Sequence, residues 1–337
     1  MSARLDIHQT DRSDKKVIAA EAAERRLFEH YGLQYSVHTV ELDDPRVRIR
    51  VLEAGSGPPV LMVPGGSGEA FPYAPLAAQL AGYRLIIVNR SGGGLSDGVD
   101  YGQVDMRRLA VDSLTAVLEA FDLERVPVIA NSMGGLWTLW LAMERPERIS
   151  AMVQLGCPAL ILGTSAPRPM RLLSIPLLNR ALFPVTTPGT IEQARKGLSM
   201  VGCSAETRQS LPDVFLETMV HMFNLPVRRA AWLSLMRTAL RPRGANPSYQ
   251  LQPDDLSRIE HPVLFIWGDN DVFGSVETGR RAESVMQNAT LQVVRGSHIP
   301  WLDNPDECAL LTNRYLRQHR SPVLTASEES RTASTIE

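Results

Sequence analysis

Two hydrophobic rhythms alternate along the chain. Pro59 to Val63, Tyr83 to Val88, Val126 to Ala130 and Ile149 to Leu155 are short runs that are apolar nearly throughout. Such runs read as strands covered on both faces. Between them apolar residues recur at helical spacing. Leu114, Val117, Leu118 and Phe121 form one stripe of a helix predicted over Asp105 to Phe121. A second helix is predicted over Leu136 to Glu144. Short-range alternation of this kind points to a parallel sheet with helices on both faces. Ahead of it, Gln34 to Leu42 and Val47 to Leu52 are rich in β-formers and flank Asp43-Asp44-Pro45, which predicts an edge hairpin. Val40 and Leu42 run out of phase with Tyr35, Val37 and Thr39, which predicts a bulge.

The pattern changes outside this block. Residues 1–32 read as an N-terminal helical extension: a polar, loose stretch over 1–12, then a helix from Ser13 to Tyr31 stopped by Gly32. It is expected to pack on the core or partly cover the site. From 159 to 255 strands give way to helical stretches: Met170 to Phe183, Ile191 to Met200, Leu211 to Phe223 and Val227 to Leu240. This is the signature of a helical cap inserted over the sheet. Alternation returns over 256–320, with strands at Pro262 to Trp267 and Ala289 to Val294 and helices at Val276 to Met286 and Asn304 to Gln318. The core is thus split into 33–158 and 256–320. Residues 321–337, rich in Ser, Thr and Glu without a period, are expected to form a disordered tail.

Bulk properties narrow the function classes. Of 337 residues 44% are apolar and 21% charged, as in a soluble globular protein. A net charge of −2 gives no electrostatic case for nucleic acid. Cys157, Cys203 and Cys308 are widely spaced and odd in number, which fits reduced thiols in the cytoplasm and no thiolate metal site. The amino-terminal stretch lacks an apolar signal region and no run reaches transmembrane length, so no membrane association is expected. Residues 160–250 carry eleven Lys and Arg against four acids. Either this attracts an anionic substrate or it is the ordinary solvation of helix faces.

Candidate chemistry sits at the ends of the apolar runs. Val128-Ile129-Ala130-Asn131-Ser132-Met133-Gly134-Gly135 carries a serine from a strand into a helix, with small residues at Ala130 and Gly134 where the two backbones nearly touch. The first central run ends in Pro64-Gly65-Gly66-Ser67-Gly68. No Gly-Lys-Ser/Thr follows and no G-x-G-x-x-G is present, which leaves an anion-stabilising backbone loop rather than a nucleotide site. Later runs end at Asp271 and His298. Ser…Asp…His is the order of a nucleophilic triad built on an α/β sheet. An imidazole takes the serine proton and returns it to the leaving group, and a carboxylate fixes its tautomer. Met133 and Gly66 are the candidate oxyanion donors, each worth roughly 3–4 kcal/mol of barrier. Ser67 and Trp301 are candidate substrate contacts, and no metal or cofactor is implied.

These motifs resemble the α/β-hydrolase fold over about residues 33–320. The nucleophile elbow corresponds to Ala130-Asn131-Ser132-Met133-Gly134. The strand-end acid motif Trp-Gly-x-x-Asp corresponds to Trp267 through Asp271 and favours Asp271 over Asp269. Gly-x-His corresponds to Gly296-Ser297-His298, and Asp-x-Arg-Gly-x-Gly-x-Ser is loosely matched from Asn89 to Ser96. The resemblance implies a mostly parallel eight-stranded sheet and a helical cap after the sixth strand. Pro64 stands where the family's oxyanion loop begins with histidine, which puts the loop geometry in question. Ser132 in place of aspartate argues against haloalkane dehalogenase and epoxide hydrolase chemistry. The elbow is similar to that of meta-cleavage-product C–C hydrolases, but Ser67 and Ile299 depart from their pattern. Hydrolysis of a carboxylic ester or related acyl bond of a small molecule is therefore the first expectation. C–C hydrolysis of a vinylogous diketone carboxylate is the second, and a weakly catalytic small-molecule-binding relative the third.

Overall fold

The computed structural model describes residues 6–66 and 68–319. The apolar runs assemble into one eight-stranded sheet: β1 Tyr35–Asp43, β2 Arg46–Gly55, β3 Pro59–Val63, β4 Arg84–Val88, β5 Val126–Asn131, β6 Ile149–Leu155, β7 Val263–Gly268 and β8 Ala289–Val294. Their order across the sheet is β8-β7-β6-β5-β3-β4-β2-β1. The edge hairpin β1–β2 is antiparallel, and β2 joins β4 antiparallel; β4, β3, β5, β6, β7 and β8 run parallel. Val60 to Val63 and Val263 to Trp267 are wholly or almost wholly buried, as expected for strands covered on both faces. The chain leaves β3 toward one edge to form β4, then crosses back to β5 beside β3. That reversal opens a crevice at the carboxyl ends of β3 and β5, where open α/β sheets hold their ligands.

Helices α1 Lys15–His30, α2 Met106–Ala120 and α3 Ser132–Glu144 form where the periodicity predicts them. Asp14 caps α1 through the Lys16 N–H, and Asp105 caps α2 through the Arg107 and Arg108 N–H groups. Helix α3 is buried at every position from Ser132 to Ala142 because the sheet and neighbouring helices enclose it on all sides. Between β6 and β7 lie α4 Leu178–Thr186, α5 Ile191–Gly197, α6 Asp213–Phe223 and α7 Pro226–Ala239, with shorter turns among them. Helices α8 Val276–Val285 and α9 Pro305–Gln318 complete the sandwich.

Three sequence expectations are corrected. Residues 6–12 are not loose. Ile7 and His8 pair with Val99 and Gly98. Thr10 donates its N–H to Asp97 at 2.7 Å and its hydroxyl to the Ser96 carbonyl at 2.9 Å. The polarity read as solvation is consumed by these bonds. The expected bulge in β1 is absent, since pairing with β2 runs unbroken from Tyr35 to Asp43. The phase changes because α1 packs on one face near Tyr35, through Phe28, while Val40 and Leu42 enter the core on the other. The helix expected over Met170 to Phe183 is broken at Pro176, which lacks an N–H, and at Leu177, whose φ is +68°. Residues 1–5 and the tail 321–337 lie outside the described residues.

The amino-terminal extension has two partners. Arg50 of β2 and Glu24 of α1 form a fully buried ion pair at 2.6 Å. On its other side α1 meets α6, where the Thr218 hydroxyl donates to the Ala23 carbonyl at 3.0 Å and Arg26 pairs with Glu217 at 2.8 Å.

Candidate active site

Ser132 opens α3 with φ +52°, a conformation disfavoured for a residue with a side chain. The turn is held from both sides. Val63 and Ala130 pair across β3 and β5, and Asn131 pairs with Leu155 of β6. A Cβ at Gly134 would collide with the Val63 and Pro64 carbonyls, so α3 approaches β3 only because glycine stands there. Ala130 is fully buried, its methyl accommodated beside the turn. The Asn131 amide donates to the Leu155 carbonyl at 2.6 Å and to the His298 carbonyl at 3.0 Å, tying the serine turn to the histidine loop.

The structure brings Asp271 and His298 together. His298 Nδ1 lies 2.9 Å from both carboxylate oxygens, and both side chains are buried. Asp271 also accepts the N–H of Cys157 at 2.7 Å and of Phe273 at 2.9 Å. Burial alone would push its carboxyl up. The charge and hydrogen bond of His298 and the two backbone donors outweigh burial and hold it below the usual carboxylate range. An ionised Asp271 holds a ring proton on Nδ1, so that in the neutral imidazole Nε2 is the acceptor. Nε2 is buried, and no described residue hydrogen-bonds to it. Phe273 stacks on the imidazole with ring centres 3.9 Å apart, and the His298 N–H donates to Val201 at 3.1 Å. Asp269, the alternative acid, is engaged elsewhere and accepts the Gly296 N–H at 3.0 Å. The three cysteines are free and buried, and burial pushes the thiols of Cys203 and Cys308 up to about 12, as expected of inert packing groups.

Gly65 and Gly66 stand opposite Ser132 and Met133. A Cβ at Gly65 would strike Asn131 and Ser132, and Gly66 has φ +52°. The loop is held by a residue not singled out in the sequence. Arg90, fully buried, donates to the Pro64 carbonyl at 2.9 Å, to Gly65 at 3.2 Å and to Gly66 at 2.5 Å. Ser67, a candidate substrate contact, lies outside the described residues.

Ser132, Met133, Gly66 and His298 all line one cavity of about 630 Å³ between the strand ends and the helices of the β6–β7 connection. Trp301 lines it too, its indole N–H donating to the Pro72 carbonyl at 2.8 Å. The walls are chiefly apolar, with Leu173, Phe215, Met219, Phe223 and Trp232 among them. Two cations line it. Arg228 is buried, pairs with Glu69 at 2.7 Å and stacks on Phe223 at 3.7 Å; Lys196 pairs with Glu192 at 3.4 Å. The basic excess of this segment therefore does not converge on the serine. Trp137 and Trp140 are core residues outside the cavity lining. Among the described residues no helix is long and apolar enough to cross a membrane.

Sequence comparison finds similar proteins among curated hydrolases. The chain is 30% identical over 265 residues to a 2-hydroxy-6-oxononadienedioate/2-hydroxy-6-oxononatrienedioate hydrolase of Paraburkholderia xenovorans, covering 74% of this chain and 83% of that one. It is 27% identical over 280 residues to a 2-hydroxy-6-oxo-6-phenylhexa-2,4-dienoate hydrolase of Comamonas testosteroni, covering 79% and 90%. Among solved structures, the carboxylesterase CesB of Bacillus subtilis superposes with a TM-score of 0.69 at 14% identity, over 91% of this chain and 98% of that one, a likeness of fold. The family model described as alpha/beta hydrolase fold matches residues 58–305. With that match spanning most of the chain, and the eight-stranded sheet in the order the fold demands, the protein belongs to the α/β-hydrolase family.

Proposed function

We propose that the protein hydrolyses a carboxylic ester or related acyl bond of an uncharged, largely apolar small molecule. The observation that carries this reading is the chamber itself. About 630 Å³ of chiefly apolar space stands over Ser132 and His298, and both lining cations already have carboxylates beside them. An apolar acyl or alkoxy group gains roughly 25 cal/mol for each Å² it buries there, whereas a free carboxylate would have to compete with Glu69 for Arg228. In this reading residues 159–255 cap the core of 33–158 and 256–320 and exclude water.

The chemistry then runs as follows. His298 Nε2 takes the Ser132 hydroxyl proton as Oγ attacks the carbonyl carbon. The oxyanion is met by the N–H groups of Met133 and Gly66. Collapse expels the alcohol, protonated by the imidazolium, and leaves an acyl-Ser132. Asp271 keeps the proton on Nδ1 throughout and stabilises the imidazolium. Water, deprotonated by the same nitrogen, attacks the acyl-enzyme, and Ser132 is released with the acid.

Turnover of p-nitrophenyl butyrate by wild type and Ser132→Ala tests the reading, with labelling of Ser132 by a fluorophosphonate as a second readout. Loss of at least about 1000-fold in kcat is expected in the variant. No hydrolysis by wild type and no labelling would sink it. The curated relatives favour a second reading, hydrolysis of a C–C bond beside a ketone in a dienoate or dioate. Activity on a ring-fission diketone exceeding ester activity by orders of magnitude would reverse the order.

A further inference from the structure

We propose that Arg90 is the positioning residue of the oxyanion hole, holding Pro64 to Gly66 in place and polarising the peptide whose N–H is that of Gly66. The inference rests on the acyl-hydrolysis reading and adds to it a residue outside the triad and the hole. Arg90 follows β4 and reaches the loop after β3. Its Nε donates to Pro64, and one terminal nitrogen donates to both Gly65 and Gly66, at 2.9, 3.2 and 2.5 Å. Its own N–H donates to the Gly68 carbonyl at 2.9 Å, and a Cβ at Gly68 would crowd Arg90 Cβ. The loop is thus gripped at both ends by one residue.

The guanidinium also reaches the other half of the hole. It lies 4.8 Å from the ring centre of Trp137, on the helix that begins with Ser132 and Met133. A rigid, planar fork spans three carbonyls and an aromatic face at once, which a lysine ammonium cannot do. The Gly65 carbonyl and the Gly66 N–H belong to one peptide unit. A charged donor on that oxygen draws electron density through the amide and strengthens the N–H as a donor. The side chain is fully buried, and its charge is met at contact by carbonyls and an indole face, with the Glu69 carboxylate, already paired with Arg228, acting on it as well. Taking a cation out of water for a purely structural clamp is costly; beside a developing oxyanion the same charge lowers the barrier. This also answers the departure at Pro64. A proline has no side-chain donor and no N–H with which to tie down the loop, and Arg90 does so from the neighbouring strand end.

The test uses Arg90→Gln, which removes charge and fork, and Arg90→Lys, which keeps charge alone. Steady-state kinetics on p-nitrophenyl butyrate are paired with inhibition by butylboronic acid, which forms a tetrahedral anionic adduct on an active-site serine. For Arg90→Gln, kcat falls about 100- to 1000-fold with KM within threefold, the effect of losing an oxyanion donor. The boronate inhibition constant rises in parallel with the fall in kcat/KM. Arg90→Lys regains about tenfold in kcat through its charge. A generally loosened site would instead raise KM and leave boronate affinity out of step with kcat/KM. If Arg90→Gln does not fold, Arg90→Lys is read alone, and kcat at least tenfold below wild type with KM unchanged is expected. A folded variant with kcat within threefold of wild type overturns the inference. A wild type without Ser132-dependent hydrolysis sinks the acyl-hydrolysis reading, and the inference with it. Active wild type with an unimpaired Arg90→Lys sinks the inference alone.

Discussion

Asp271→Asn separates catalysis from packing because every lone pair of that carboxylate is spoken for. One oxygen accepts from Cys157 at 2.7 Å, the other from Phe273 at 2.9 Å, and both lie 2.9 Å from His298 Nδ1. The introduced amide nitrogen must replace one of these oxygens. In either orientation it confronts a buried backbone N–H, and a donor left unmet there costs about 1–3 kcal/mol. If the amide donates to Nδ1, the ring proton moves to Nε2, and in the proposed mechanism the general base is lost, an effect of about 10⁴ in kcat in a triad. The assay is ester turnover at neutral pH beside urea unfolding from pH 3 to 8. The folded-state carboxyl is held below its ordinary range, so it stabilises the fold above the unfolded carboxyl's pKa of about 4. That contribution is lost as pH falls through the lower folded value. The stability gap between wild type and variant is therefore flat from neutral pH to about 5 and closes below about 4. Asp269→Asn, which disturbs only the bond to Gly296, leaves kcat within about threefold. A variant at Asp271 with kcat within tenfold of wild type, or a gap that widens toward acid, would refute the assignment.

Two further substitutions probe the frame. Gly134→Ala drives a methyl into the Val63 and Pro64 carbonyls; stability falls by on the order of 1–3 kcal/mol and kcat falls with it, and wild-type melting and turnover would contradict the close approach of α3 to β3. Arg50→Met strands the buried Glu24 carboxylate and costs about 3–5 kcal/mol, whereas adding Glu24→Met restores most of it; equal melting temperatures of single and double variants would exclude a buried charge pair under α1.

Much of this protein was legible in one dimension. β3 and β6 fall where their apolar runs predict them, because a strand covered on both faces writes its burial into consecutive residues. The positions of Ser132, Asp271 and His298 were legible for a related reason. Each stands just beyond a strand, and parallel strands deliver their carboxyl ends to one side of the sheet. Local chemistry misled where its partner was distant. Thr10 and Asp11 looked like solvated chain, but Thr10 closes on Asp97 across 87 residues of sequence. A phase shift looked like a bulge because two helices cover opposite faces of β1. The basic excess between β6 and β7 left an anionic substrate and solvated helix faces both open, and the buried arginine lining the cavity is met by Glu69.

The remaining features belong to the tertiary structure alone. Nothing near Pro64 in sequence says what shapes its loop, because the answer is a guanidinium 26 residues away, brought in by the pairing of β3 with β4. Phe273 stacks on His298 only when two loops meet. The chamber's apolar character arises from which faces of α6 and α7 turn inward, a choice made by packing of α6 against α1 and of α7 against its neighbours in the same segment. Periodicity reports whether a residue is buried; it does not report against what. The sequence by itself determined the sheet, the order of the candidate groups and the strand ends that carry them. The tertiary structure decided how those ends are clamped, which charges are spent and what kind of space stands over the serine, because these depend on contacts between segments that no local pattern encodes.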